Sequence, residues 1–191
     1  MDKCGFVMAG RLTRKIAESR ISAMIPRLYS ICRSWGCAPD VCDEIVQEAI
    51  TSALAKYKQL RKPSVLEVWL IRILHNCHHM YWRSHRHEAE LEEASLVDDQ
   101  TPDNCLESER AVKLVREAIS RLSEAHRKVI VLVDMEGFSY QEVSEALDIR
   151  IGTVMSRVSR ARECLRLEFK LIKNIKEESI SLPVTPLRSV T

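Results

Sequence analysis

Glycine and proline are scarce in this sequence, with 5 and 6 among 191 residues. Helix-forming residues are abundant, so the composition argues against a turn-rich sheet fold and for helices. No apolar run reaches the roughly 18 residues that suggest a membrane-spanning helix. The opening stretch MDKCGFVMAGRLTRK lacks the apolar segment of a signal peptide. A chain that neither spans a membrane nor carries a visible export signal is expected. Seven cysteines are present (Cys4, Cys32, Cys37, Cys42, Cys77, Cys105, Cys164), an odd number at irregular spacing with no CxxC pair. That excludes a regular disulfide framework and suits a reducing cytoplasm. Missing too are a phosphate-binding loop, a catalytic triad and a metalloenzyme motif, so no enzymatic role, cofactor or small-molecule substrate is expected.

What is present is a pattern of charge. Residues 1–87 carry 14 basic and 7 acidic side chains. Residues 88–109 carry 9 acidic and none basic, and residues 110–173 carry 13 basic against 9 acidic. Two basic blocks therefore flank an acidic bridge. Basic blocks attract polyanions, most often nucleic acid. The bridge has no sustained apolar stripe and reads as a flexible tether between two domains.

Helical periodicity fills both blocks. A short basic helix is expected over 11–24, and a second from Pro26, at its first turn, to near Gly36. A third, with Asp40 as candidate N-cap, repeats Ile45, Val46, Ala49, Ile50, Ala53, Leu54 and Tyr57 on one face. Its other face carries Asp43, Glu44, Gln47 and Glu48. Ser64 and Glu67 form a capping box for a helix through Trp69, Ile71 and Leu74. In the second block, helices are expected over about 111–122 and 124–135, ending at Gly137. A capping box at Ser139 and Glu142 opens a short helix to Leu147, and a brief turn leads to a long helix from about Gly152 to Lys170. A short helix, a tight turn and a longer basic helix make a helix-turn-helix. Val143, Ala146 and Leu147 would pack against Val154, Val158, Ala161 and Leu165. That leaves Ser156, Arg157, Ser159, Arg160 and Arg162 outward, where base edges or phosphates can be met. The bland alternative is a helical hairpin with a solvated arginine face.

The second block, from Leu122 to Leu165, resembles the C-terminal promoter-binding domain of the extracytoplasmic-function (ECF) sigma factors, members of the sigma-70 family. The matching residues are Leu122-Ser123, Arg127, Gly137-Phe138-Ser139-Tyr140, Glu142-Val143, Gly152-Thr153-Val154, Ser156-Arg157 and Arg160-Ala161-Arg162. Met155 stands where the family often has a DNA-contacting arginine. The first block resembles the other domain of the same family. Asp43-Glu44-Ile45-Val46-Gln47-Glu48 is similar to a segment that docks on the β′ clamp helices of RNA polymerase, and Val68-Trp69-Leu70-Ile71-Arg72-Ile73-Leu74-His75-Asn76 to one that leads into promoter melting.

The resemblance implies an all-α fold of two helical domains. An extension (1–25) precedes a polymerase-binding and minus-ten domain (26–87). The acidic linker (88–109), a minus-thirty-five-binding domain (110–170) and a tail (171–191) follow. It implies polymerase contact through Asp43, Glu44, Gln47 and Glu48; a solvated helix face is the alternative there. Minus-ten DNA would meet Trp69, Arg72, Asn76, Tyr81, Trp82, Arg83 and Arg86, since aromatics stack on bases and basic groups hold the strand. Trp69 also fits a core position, and adjacent Tyr81 and Trp82 must point apart, one packed and one available. Minus-thirty-five DNA would meet Thr153, Met155, Ser156, Arg157, Ser159, Arg160 and Arg162. The implied partners are the core polymerase (β′ clamp helices and β flap), promoter DNA and an anti-sigma protein, often membrane-anchored, all consistent with a cytoplasmic place of action. Two other functions stay open: a helix-turn-helix regulator that does not dock on polymerase, and a metal-responsive switch. The latter would use His75, His78 and His79, which share a helix face at a spacing suited to zinc or nickel.

Overall fold

The structure, a computed structural model, describes residues 13–60, 62–85 and 107–180. Among the described residues there are seven α-helices: α1 (Arg14–Ser34), α2 (Pro39–Lys56), α3 (Leu66–His85), α4 (Glu107–Ser120), α5 (Glu124–Ile130), α6 (Tyr140–Leu147) and α7 (Ile151–Ile180). No strand occurs among the described residues. The all-α expectation holds.

The helix ends follow local chemistry with some corrections. α1 runs unbroken through Pro26, where two helices were expected. Proline there forfeits the hydrogen bond to the carbonyl of Ser22. Burial of Ala17, Ile21 and Met24 on one side and Leu28, Ile31 and Cys32 on the other overrides that loss. The N-cap of α2 is Ala38, not Asp40; Pro39 takes the first helical position and Asp40 lies in the first turn. Ser64 belongs to a short 3-10 turn (Pro63–Val65) ahead of α3. α5 continues into one π turn, Val131–Met135. α7 extends ten residues beyond the expected end at Lys170. Of the expected acidic tether, 88–106 lies outside the described residues, while residues 107–109 form the first turn of α4. Acidic side chains favour a helix N-terminus, so charge density there does not mean chain without structure.

α1, α2 and α3 form one bundle, and α4 to α7 form the other domain around α5, α6 and α7. Each has the apolar centre that its periodicity demands: Leu28, Ile31, Ile45, Leu70, Ile71 and Leu74 in the first, Val129, Ile130, Leu132, Val143, Val154 and Val158 in the second. Burying each such side chain is worth about 1.5–3 kcal/mol before entropy is counted. The two domains also press together, α3 on α6 and α1 on the π turn, so that their buried residues form one continuous cluster.

Gly36 shows how closely they meet. It turns the chain out of α1 with φ +98°, a conformation glycine adopts without a steric cost. A Cβ at this position would land on the guanidinium of Arg127 in the other domain. Gly36→Ala is therefore expected to destabilise the closed arrangement by about 1–3 kcal/mol from backbone strain alone. Chemical denaturation and small-angle scattering together check this: a lower midpoint with a larger radius is expected. A lower midpoint with an unchanged radius would mean that the two domains do not meet at Gly36.

Candidate nucleic-acid interface

The helix-turn-helix is built by short-range bonds. Ser139 caps α6: its hydroxyl accepts from the Glu142 N–H (3.3 Å), while the Glu142 carboxylate accepts from the Ser139 N–H (2.8 Å). Those bonds to Ser139 hold the Glu142 carboxyl below its ordinary pKa. At the other end Asp148 takes the left-handed conformation, φ 55°. The Ser144 hydroxyl donates to the Ile149 carbonyl (2.6 Å) and closes the turn. α7 then starts at Ile151, and Val143, Ala146 and Leu147 pack against Val154, Val158 and Ala161 as expected.

This packing leaves Met155, Ser156, Ser159 and Arg160 exposed, with Thr153 and Arg157 half-buried. Arg160 and Arg157 have no ion pair among the described residues, so both cations remain available. Arg162 does not. It grips Asp134 of the π turn with two bonds, Nε to Oδ2 at 3.0 Å and Nη2 to Oδ1 at 2.6 Å. That grip raises its pKa.

Asp43, Glu44, Gln47 and Glu48 all lie on the exposed face of α2, opposite buried Ile45, Val46 and Ala49. None of their carboxylates makes an ion pair among the described residues. On α3, Asn76 and Arg83 are exposed, whereas Trp69 is half-buried against the core, the alternative weighed for it. Tyr81 is half-buried and stacks on His85 at 4.1 Å, while Trp82 is 45% exposed. One ring is more packed and the other more open, but contrary to expectation they do not point apart: they meet edge to face at 5.4 Å. Arg86 lies outside the described residues. Arg72 is tied to Asp148, the residue that turns the chain between α6 and α7, at 3.2 Å. The α3 face and the helix-turn-helix thus meet each other.

Sequence periodicity missed the residues that join the domains. Arg27 of α1 donates to Glu136 through Nε (2.6 Å, to the carboxylate) and Nη2 (2.7 Å, to the carbonyl), and to Glu67 through Nη1 (2.7 Å). It also lies over the Phe138 ring. Arg127 donates to the Trp35 carbonyl at 3.0 Å and to the carbonyls of Ser120 and Leu122 in its own domain. Lys128 is buried, with Nζ 2.6 Å from the Glu124 carboxylate and 3.1 Å from Nδ1 of His78. The matching Arg127 in the family pattern was a visible signal; Arg27 and Lys128 had none.

Of the three candidate metal-binding histidines, His78 is engaged in this contact, and His75 is half-buried with no hydrogen-bond partner at its Nδ1. His75 and His78 meet Trp35 edge to face, and only His79 is exposed. His78 faces donors at both ring nitrogens, Lys128 at Nδ1 and the Trp82 indole N–H at Nε2 (3.2 Å). A neutral imidazole has one lone pair to offer, so only one donor is satisfied at a time. Among the described residues no metal-ligand cluster includes these histidines. One exists elsewhere, formed by Cys32, Cys37 and Cys42.

An exposed basic helix-turn-helix on an all-helical chain is the arrangement of a DNA-binding protein. Residues 21–88 match the family Sigma-70 region 2, and residues 113–165 match Sigma-70, region 4. The chain is 30% identical to the ECF RNA polymerase sigma factor EcfG of Rhodopseudomonas palustris (strain TIE-1), over 76% of this chain and 80% of that one. It is 33% identical to the ECF RNA polymerase sigma-E factor of Escherichia coli (strain K12), over 64% of this chain and 70% of that one. In structure it is similar to the sigma factor RpoE of Bartonella quintana in its co-crystal with the anti-sigma factor NepR. The TM-score there is 0.68 at 27% identity, covering 80% of this chain and 96% of that one. The chain belongs to the ECF sigma factors of the sigma-70 family: it binds RNA polymerase core and directs promoter recognition and transcription initiation.

The domain contact makes a prediction in pH. Burial and then the Lys128 charge push His75 down to about 4 and His78 down to about 3, from 6.5. The unfolded chain therefore binds more protons than the folded one between those values and 6.5. Stability is complete above about pH 6.5 and falls as pH drops through that window. Glu124, lowered chiefly by its hydrogen bond to Lys128, acts in the same direction at lower pH. Between pH 7.5 and pH 5, His78 is expected to cost up to about 2 kcal/mol of folding stability. His78→Asn keeps an acceptor near Lys128 and removes the titration, so its stability curve should be flatter. Denaturation midpoints across this range check it; parallel curves for the two proteins would sink the assignment.

Proposed function

We propose that the two domains divide promoter recognition between them. α2 docks on the β′ clamp helices through Asp43, Glu44, Gln47 and Glu48, and α3 opens the minus-ten element through Asn76, Trp82 and the basic groups Arg72, Arg83 and Arg86. α7 reads the minus-thirty-five element through Ser156, Ser159 and Arg160, with Met155 offering apolar contact in place of the family's arginine. Arg157 holds phosphate. The observation that carries this reading is the order of the two modules in one chain, each with its matching polar face outward. The chain is a factor acting with a catalytic partner and not itself a catalyst, and it works where that polymerase is, in the cytoplasm. No helix among the described residues is long and apolar enough to cross a membrane.

Geometry adds a requirement. The two elements are roughly 25 base pairs apart, or roughly 85 Å along B-DNA at about 3.4 Å per pair. The longest element, α7, is 30 residues or about 45 Å long, well short of that distance. The domains must therefore part before both elements are bound, and the Arg72–Asp148 contact between the two DNA faces must break. The 21 residues of 86–106 can reach at most about 70 Å, enough to make up the difference. An anti-sigma protein is the proposed partner of the inactive state, supported by the likeness to the Bartonella complex.

Run-off transcription by core polymerase with and without this chain tests the reading. On matched against scrambled upstream elements, Arg160→Ala should reduce discrimination about five- to hundredfold, the worth of one base-reading arginine. Arg162→Ala should leave discrimination unchanged, because its guanidinium is held by Asp134. Equal loss on both DNAs for Arg160→Ala would remove that residue from base reading. Reversing Glu44 and Glu48 to Lys should weaken core binding while duplex binding by the isolated factor stays constant. Undiminished core affinity would place the docking face elsewhere.

A further inference from the structure

Three cysteines that the helix pattern treats as separate meet at one point. Cys32 lies in the last turn of α1, Cys37 follows Gly36 in the connecting loop, and Cys42 lies in α2, one turn from its start. Their sulfurs are all within 4.8 Å of one another. All three are buried, at 0%, 7% and 1% exposure. The loop is folded to hold them: the Cys37 N–H reaches the Cys32 carbonyl at 3.4 Å, and the Cys42 thiol reaches the Cys37 carbonyl at 3.6 Å. Within an otherwise irregular set, residues 32, 37 and 42 recur at an interval of five.

From this geometry we propose that Cys32, Cys37 and Cys42 form a three-sulfur binding site for a soft, thiophilic metal ion of the monovalent copper class. Sulfurs about 2.3 Å from a shared metal lie roughly 3.8–4.0 Å apart, so closing the site moves each pair by no more than about 1 Å. No histidine or carboxylate joins the cluster among the described residues. An all-sulfur set selects soft ions over magnesium, calcium or manganese. Structural zinc is almost always four-coordinate, and this buried cluster offers three protein ligands, which favours an ion content with three. The start of α2 adds the positive end of its dipole near Cys42. The competing explanation is that three small apolar thiols merely fill space.

The test uses the full chain, reduced and handled without oxygen, with Cys4, Cys77, Cys105 and Cys164 replaced by Ser. Cu(I) is presented as its coloured complex with bicinchoninate. One equivalent should be withdrawn by the protein, and Cys37→Ser, at the most exposed of the three positions, should weaken that withdrawal at least about a hundredfold. X-ray absorption on the parent should show three sulfur neighbours and no nitrogen or oxygen, a result that does not depend on the variant folding. The proposal is overturned if the protein withdraws no copper. Equal withdrawal by a variant with Ser at 32, 37 and 42, two-sulfur coordination, or tighter binding of Zn(II) would also overturn it. None of these readouts involves polymerase or DNA, so they stand apart from the promoter assignments.

Discussion

Arg27 reaches out of α1 with its donors committed to two acidic residues, one in each domain. Nε and Nη2 close on Glu136 beyond the π turn, and Nη1 on Glu67 at the start of α3. Arg127 answers from the opposite side by donating to the Trp35 carbonyl, at the one point where Gly36 leaves room for it. Between them Lys128 is buried against Trp35 and His78, with Glu124 as its counter-charge. Three cations crossing a domain boundary fix the relation of α3 to α6. That relation decides which surfaces face water. The outward faces of α2 and α7 remain open, whereas Arg72 and the turn before α7 are occupied by each other.

The closed arrangement therefore has different consequences for the two functions of the chain. Under the proposed division of labour, polymerase contact through α2 needs no rearrangement, because Asp43, Glu44, Gln47 and Glu48 are exposed already. DNA contact needs separation, because a closed pair is too short to meet two distant elements. Under the proposed division of labour, docking on core through α2 comes first, but a contact that both states offer equally does not itself part the domains. A ligand shifts such an equilibrium only by its differential affinity for the two states. The closed surface covers residues in α3 and not in α2, so differential affinity must come from polymerase or DNA contacts that only the open state exposes.

Much of this was legible in the sequence wherever the deciding forces were local. The capping box at Ser139 and Glu142, the turn at Asp148 and the apolar stripes of α2, α6 and α7 are set by residues within a turn or two of each other. So was the division of Tyr81 and Trp82 into packed and open rings. The failures have physical causes. Pro26 signals a helix start, but tertiary burial on both sides carries α1 through it. The acids at 107 and 109 look like tether, yet charge of that sign suits the beginning of α4. The pairing of Arg162 with Asp134, 28 residues earlier, is likewise not announced by any local pattern. The domain contact was beyond reach, since Arg27 and Glu136 are 109 residues apart and Arg127 and Trp35 are 92 apart. No periodicity within either block encodes that pairing. The same holds for the cysteines, whose convergence depends on how α1 turns into α2.

The chemistry of the contact explains how it can be specific and still open. Removing one partner from a buried ion pair strands a charge and is costly, about 3–5 kcal/mol. Opening the domains is a different process. Lys128 keeps Glu124, which lies on its own helix, and Arg27 keeps Glu67. Both gain water in exchange for His78 and Glu136. Arg127 likewise retains the carbonyls of Ser120 and Leu122 when it leaves Trp35. Each cation thus carries a partner within its own domain, so no charge is left bare when the domains part. A wholly apolar interface of the same extent would lose its full burial energy on opening and would hold the domains more firmly. By distributing the contact over cations that are satisfied in either state, the chain keeps a defined closed form that can part without stranding a charge.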